Sequence, residues 1–322
     1  MSAPGTISAP SPAVRRKATL ALLSVCIFWG ATFTWMKQGT GALQEVYGHD
    51  TPVAVGSFFL LVRFVLAALL MPIMLPRSVR KLDTAAWRWG FWVSLPFAAG
   101  FMLQIFGLTQ PDVPPSQSAF LTSLYVVATP LLSALLLRRV PSRGVLLGVL
   151  LAAVGAAFIK GQPEGGLSIG AWATIACALV FGGHILITDT ATRRADPLAI
   201  TFTMFVFSTL WLGATLALAP GGPAMLQPAP LAEAFSSTWF LVSEALCAVL
   251  ASVIALSVLN RWQKELSPTR AAIVYTAEPV FAAIISVASG EDAVTGWLMF
   301  GAGMILLANL AAELVGRRPQ PS

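Results

Sequence analysis

The stretch SQSAFLTSLYVVATPLLSALLLRR, from Ser116 to Arg139, is too long and too apolar for the surface helix of a soluble domain, and it ends in two arginines. From Ser116 to Leu137 it is about long enough to cross a hydrocarbon core of roughly 30 Å as a helix. Nine further runs share its character: Thr19 to Lys37, Pro52 to Leu75, Trp87 to Thr109, Arg143 to Ile159, Leu167 to Thr188, Pro197 to Leu218, Thr238 to Asn260, Leu266 to Ser289 and Val294 to Val315. Seventeen of the twenty Lys and Arg residues sit in alternate gaps, in the clusters Arg15 to Lys17, Arg77 to Arg88, Arg138 to Arg143, Arg193 and Arg194, Arg261 to Arg270, and Arg317 and Arg318. The opposite gaps hold only Lys37 and Lys160, beside Glu45, Asp50, Asp112, Glu164, Glu233, Glu291 and Asp292. If every run crosses, the basic gaps share one face, and the positive-inside rule makes that face and both termini cytoplasmic.

Composition points the same way. Hydrophobic residues make up 57% of the 322 residues and charged ones 11%, with mean hydropathy +0.78, so there is too little polar surface to cover a soluble fold. The net charge of +6 lies in short loops beside helix ends, where topology and lipid headgroups account for it without a nucleic-acid partner. Cys26, Cys177 and Cys247 fall inside apolar runs and imply no disulfide framework. Trp35, Trp172, Trp239 and Trp297 are expected at one interface and Trp87, Trp89 and Trp262 at the other. Residues 1–18, rich in Ser, Ala and Pro, are expected to form a disordered cytoplasmic start ahead of an uncleaved first helix. Residues 316–322 are read as a cytoplasmic tail.

The chain also repeats. Pro130 is followed by Gly148 and Gly155, and Pro279 by Gly296 and Gly303 at nearly the same distances; Phe28, Trp29 and Gly30 match Phe181, Gly182 and Gly183. These matches divide it into five-helix units over 19–160 and 167–315. Five is odd, so the second unit enters from the opposite side. The expected fold is all-α and polytopic, ten transmembrane helices as two inverted repeats with the substrate near the midplane between them.

Several stretches carry a family resemblance: Phe28-Trp29-Gly30, Arg63-Phe64, the run Ser118 to Arg138 with its central proline, and Ala277-Glu278-Pro279-Val280-Phe281-Ala282-Ala283 ahead of Glu291. In these, and over nearly its whole length, the chain resembles the EamA-type members of the drug/metabolite transporter superfamily. The resemblance implies a ten-helix carrier of metabolites or drugs, often working outward, in a bacterial-type inner membrane; some members export amino acids. Two departures stand out: Gly182 takes the place of a tryptophan-like residue in the second repeat, and the turn Arg138-Arg139-Val140-Pro141 lacks an acidic residue.

Charges inside the bilayer mark candidate sites. Arg63 and Glu278 fall about halfway along their helices, where a charge costs a few kcal/mol unless it is paired, wetted or neutralised. They are expected to face one interior space, paired there or apart. Arg63 serves either as a structural pin or as a substrate contact; Glu278 either exchanges protons or satisfies backbone loosened by Pro279. Pro130 and Pro279 kink their helices and free the carbonyls of Val126 and Tyr275, which lipid tolerates only when they are buried or face a wet cavity. Ser118, Thr122, Tyr125, Thr129 and Ser133 form a polar stripe that either lines that cavity or glues helices together. Trp29, Tyr125 and Tyr275 are candidates to stack on or bond to a substrate, with Gln104 and His184 as secondary lining; His184 reads chiefly as a packing residue. Glu244, in the outer third of its helix, is expected to be wetted from outside or to stand at a cavity mouth.

His49 and His184 stand far apart, and the sequence shows no metal-ligand cluster, phosphate loop or hydrolytic constellation, so neither an enzyme nor a cofactor is expected. The expected function is a secondary transporter of a small metabolite, first an amino acid, by alternating access, with lipid as its surroundings. The alternatives are a proton-coupled multidrug exporter and a membrane sensory or assembly protein. Nothing in the sequence sets the oligomeric state.

Overall fold

The computed structural model describes residues 11–136, 138, 140–159, 166–266 and 274–314. Arg139, Lys160, Glu164, Arg270, Arg317 and Arg318, and most of the two terminal segments, lie outside them. The described residues are helical, with no strand. The spans are α1 (Pro12–Tyr47), α2 (Pro52–Met74), α3 (Thr84–Thr109), a fourth broken into α4 (Pro115–Thr122) and α5 (Tyr125–Leu136), α6 (Arg143–Phe158), α7 (Ile169–Thr192) and α8 (Pro197–Leu218). The eighth comprises α9 (Thr238–Leu246), a π-helix (Cys247–Ile254) and α10 (Ala255–Trp262), followed by α11 (Ala277–Ala288) and α12 (Gly296–Leu314). Among the described residues, seven helices are long and apolar enough to cross a membrane, and three shorter apolar ones, Arg143–Phe158, Ala277–Ala288 and Gly296–Ala312, occupy the remaining expected positions.

Caps set many of the helix starts. The side chains of Ser11, Asp83, Ser142, Ser168, Asp196 and Ser237 each accept a hydrogen bond from a first-turn amide, and Pro12, Pro52, Pro115 and Pro197 open their helices. Ser11 starts α1 at Pro12, so residues 12–18, expected to be disordered, are helical.

The exterior is apolar, with Leu69, Ile73, Leu150 and Leu210 mostly exposed, while Thr34, Ser57, Arg63 and Glu244 are buried. A bilayer, not water, suits such a surface. The packing of the halves exchanges partners as a twofold axis requires. Helices α6 and α12 pack together, as do α2 and α8; α1 lies on α11 as α7 lies on α5; α3 lies on α7 as α9 and α10 lie on α1. Each half has an odd number of spans, so the repeats are inverted.

Close approach explains two glycine positions. A Cβ on Gly30 would come within 2.8 Å of Ala282 N and Glu278 O, and one on Gly182 within 3.2 Å of Thr129 N and Ala128 Cβ. Gly30 and Gly182 are therefore equivalents, each seated on the proline-bearing helix of the other half. The expected alignment is off by one: Phe181, not Gly182, occupies the place of Trp29. Likewise Gly155 and Gly301 bring α6 and α12 together, whereas Gly296 and Gly303 face open space.

Candidate functional site

A cavity of about 950 Å³ lies between the halves. It runs from Arg63, Gln104 and Thr122 in the interior to Thr192, Pro197, Gln263 and Leu266, at helix ends on the basic face. Of the residues singled out from sequence, Trp29, Arg63, Gln104, Thr122, Tyr125, Thr129, Pro130, His184, Tyr275 and Glu278 all line it.

Ser118 and Pro279 do not. Ser118 is fully buried in α4, which is wedged between α7 and α11, and its hydroxyl has no partner among the described residues. The polar stripe assumed one continuous helix, but the fourth span turns at Ser123 and Leu124, so only its inner part reaches the cavity. Pro279 is buried in the first turn of α11, where amides lack intrahelical acceptors anyway; the ninth span turns at Thr276 instead of kinking at the proline. Pro130 does sit inside its helix. The two carbonyl-bearing residues expected to be freed, Val126 and Tyr275, are both in the cavity wall.

Arg63 and Glu278 share the cavity without pairing. Arg63 is 3% exposed; its Nε donates to Ser252 Oγ at 3.2 Å, its Nη1 approaches Met36 Sδ at 3.4 Å, and its guanidinium lies 5.0 Å from the Phe101 ring centre. Glu244 is 2% exposed, and neither of its oxygens has a hydrogen-bond partner among the described residues. That overturns its expected place at a wet outer position: α9 turns it inward toward α1 and α2. With Arg63 so occupied, Glu278 faces the cavity with no hydrogen bond or ion pair to another described side chain.

The π-helix supplies polar contacts that the sequence gave no sign of. Its wider turn leaves carbonyls off the α-helical ladder. Ser252 Oγ donates to Cys247 O at 3.0 Å, and Trp29 Nε1 donates to Ala251 O at 3.0 Å. Arg63 is thus fixed by a hydroxyl that the π-turn itself holds. Elsewhere Gln104 Nε2 donates to Thr122 Oγ1 at 3.3 Å. His184 Nδ1 lies 3.3 Å from Val93 O, and Thr188 Oγ1 lies 3.4 Å from His184 Nε2, a packed and bonded histidine. The Tyr275 hydroxyl is buried and has no hydrogen-bond partner among the described residues.

Aromatic rings that sequence reasoning missed complete the wall: Phe97, Phe101, Phe181 and Phe205. The spacing of Phe97 and Phe101, one helical turn apart on α3, was the available signal.

The opposite face is shut. Lys37 Nζ donates to Leu108 O and Gln110 O, each at 2.7 Å, and to Val113 O at 3.4 Å, tying α1 to the end of α3. Gln44 Nε2 donates to Thr109 O at 3.3 Å, and Ser116 hydrogen-bonds Asp292. A cation on the last carbonyls of a helix is favourably placed.

The EamA-like transporter family matches the chain twice, over residues 16–161 and 168–312. An uncharacterized transporter of Archaeoglobus fulgidus is 29% identical over 307 residues, covering 93% of this chain and 87% of that one. A solved crystal structure shares the fold, with a TM-score of 0.56 at 18% identity, over 95% of this chain and 99% of the other.

Proposed function

Because the chain belongs to the EamA-like transporter family, we infer that it exports a small amino-acid-like metabolite by alternating access. The observation that carries this reading is the cavity: enclosed between inverted repeats, reaching the basic face and barred from the other by Lys37. Its volume falls in the range of about 300–1,000 Å³ usual for small-molecule sites. The basic face is cytoplasmic by the positive-inside rule, in an inner membrane, which makes this conformer the one that loads cargo from inside. A zwitterion suits the wall. Its amine meets Glu278, its carboxylate meets donors from Arg63, Gln104 and the Tyr275 hydroxyl, and an apolar side chain lies against Trp29, Phe97 and Phe181.

A second reading, a proton-coupled exporter of amphipathic drugs, draws on the same rings and on Glu278 standing without an ion pair among the described residues. Counterflow in liposomes across amino acids, amines and sugars separates the two. Exchange of amino acids is the expected result; flux of lipophilic cations or nucleotide sugars with amino acids ignored refutes the cargo. Glu278→Gln is expected to abolish the pH dependence of efflux, and an unchanged profile removes Glu278 as the proton carrier. Saturable partner binding with no solute flux would replace transport with a sensory or assembly role.

A further inference from the structure

An inverted repeat carries two gates related by its twofold axis, and here one is shut and the other open. Building on the alternating-access reading, we propose that when the basic face closes, Asp189 and Arg261 leave their present partners and form an ion pair across the vestibule, as the counterpart of the Lys37 latch.

The placement follows from equivalences already visible in the packing. Gly30 of α1 and Gly182 of α7 occupy equivalent seats. About two turns further along each helix stand Lys37 and Asp189. Helix α3 lies on α7 as α9 and α10 lie on α1, so the end of α3 at Leu108 and Gln110 corresponds to the end of α10 at Arg261 and Gln263. The outer latch joins α1 to the end of α3. Its counterpart must join α7 to the end of α10.

In this conformer the vestibule separates those two elements, being lined by Thr188 and Thr192 on one side and by Gln263 and Leu266 on the other. Asp189 and Arg261 are parked locally meanwhile. Asp189 accepts from Arg193 Nε at 3.2 Å and Nη2 at 3.0 Å, and Arg261 Nη1 donates to Glu265 at 3.3 Å. Both pairs are i,i+4, and Asp189, Arg193 and Arg261 are mostly exposed while Glu265 is partly covered; pairs of this type contribute little, so exchanging them is inexpensive.

The sign of the charges explains why Arg261 is needed. Lys37 is a cation and can sit directly on the carbonyls that end α3. Asp189 in the equivalent place is an anion, which the negative end of α10 repels. Arg261, in the last turn of α10, is the cation that turns this repulsion into attraction.

The test uses the full chain in liposomes with Cys26, Cys177 and Cys247 replaced by Ala. A disulfide requires Cα atoms about 4.4–6.8 Å apart, so Asp189→Cys with Arg261→Cys can bridge only when the inner face shuts. Under exchange conditions the bridge is expected to form, to stop counterflow and to release it on reduction. Absence of the bridge in protein that exchanges cargo overturns the gate and leaves the carrier reading intact. A bridge in protein whose reduced form moves no member of the panel supports the contact and counts against the carrier reading instead. A charge swap gives an independent measure. Asp189→Arg is expected to slow exchange about five-fold, and adding Arg261→Asp to restore it; failure of the swap to restore exchange overturns the proposal.

Discussion

Lys37→Met tests whether the outer face is held shut by the contacts described. Methionine keeps the length and the apolar stem and removes the ammonium. Two of the lost hydrogen bonds are 2.7 Å long and charge-assisted, a kind worth about 1.5–3 kcal/mol each; the third, at 3.4 Å, adds little. Lys37 is only part-buried, so water repays some of the loss. A net cost of about 3 kcal/mol to the shut state remains, roughly a hundredfold in the open-to-shut ratio. Val113, fully buried beneath the latch, provides the reporter as Val113→Cys. Labelling by a membrane-impermeant maleimide follows the population of the open state when opening is fast. The three native cysteines are buried and give low background. Labelling from the acidic face is expected to accelerate about a hundredfold in Lys37→Met and only modestly in Lys37→Arg. A rate within about two-fold of the parent, in protein with an unchanged melting transition, refutes the latch.

Further outcomes follow from the same packing. Arg63→Lys loses the Nε bond to Ser252 and the planar contact with Phe101, and is expected to cost about 1–2 kcal/mol; a double-mutant cycle with Ser252→Ala in thermal melts checks the coupling, and strict additivity argues against it. Gly155→Ala places a Cβ 2.8 Å from Gly301 O and 2.7 Å from Ile305 Cγ1, which overpacks α6 against α12 and lowers stability by about 1–3 kcal/mol. Gly303→Ala meets open space and serves as the neutral control. Burial, the largest influence, pushes the Asp292 carboxyl up, against hydrogen bonds from Ala293 and Ser116 that favour its charge. The shut outer face therefore prefers the neutral acid. Its contribution is complete below the ordinary aspartate range and is lost as pH rises through the raised value, so labelling of Val113→Cys is expected to increase across that window and to lose the dependence in Asp292→Asn.

Sequence made the architecture legible because lipid imposes it through length, apolarity and the sign of loop charge, all of which are local. The cavity was legible for a related reason: Arg63, Glu278 and the residues around Pro130 are costly in lipid and must turn inward. Partnerships were harder to read. Arg63 and Glu278 share a depth, which suggested a pair, but Arg63 is held by Ser252 and Phe101 instead, and helix rotation decides that. Ser118 fell out of the stripe because the turn at Ser123 breaks the period on which the stripe was counted. The Phe28-Trp29-Gly30 match slipped by one because adjacent glycines read alike until Gly30 and Gly182 are seen against the facing helices.

The π-helix at Cys247–Ile254 has a consequence for how this span tolerates change in length. A π-turn accommodates an extra residue, so deleting one from this segment lets the α-helical ladder close up and leaves the helix beyond it close to its present orientation, whereas the same deletion from a regular α-helix turns everything beyond it by about 100°. Leu256 and Leu259 would keep to the cavity wall and Arg261 to the inner end, with Glu244, upstream, unmoved. The widened turn thus acts as a length buffer, at which the eighth helix can shed one residue without re-aiming either of its ends.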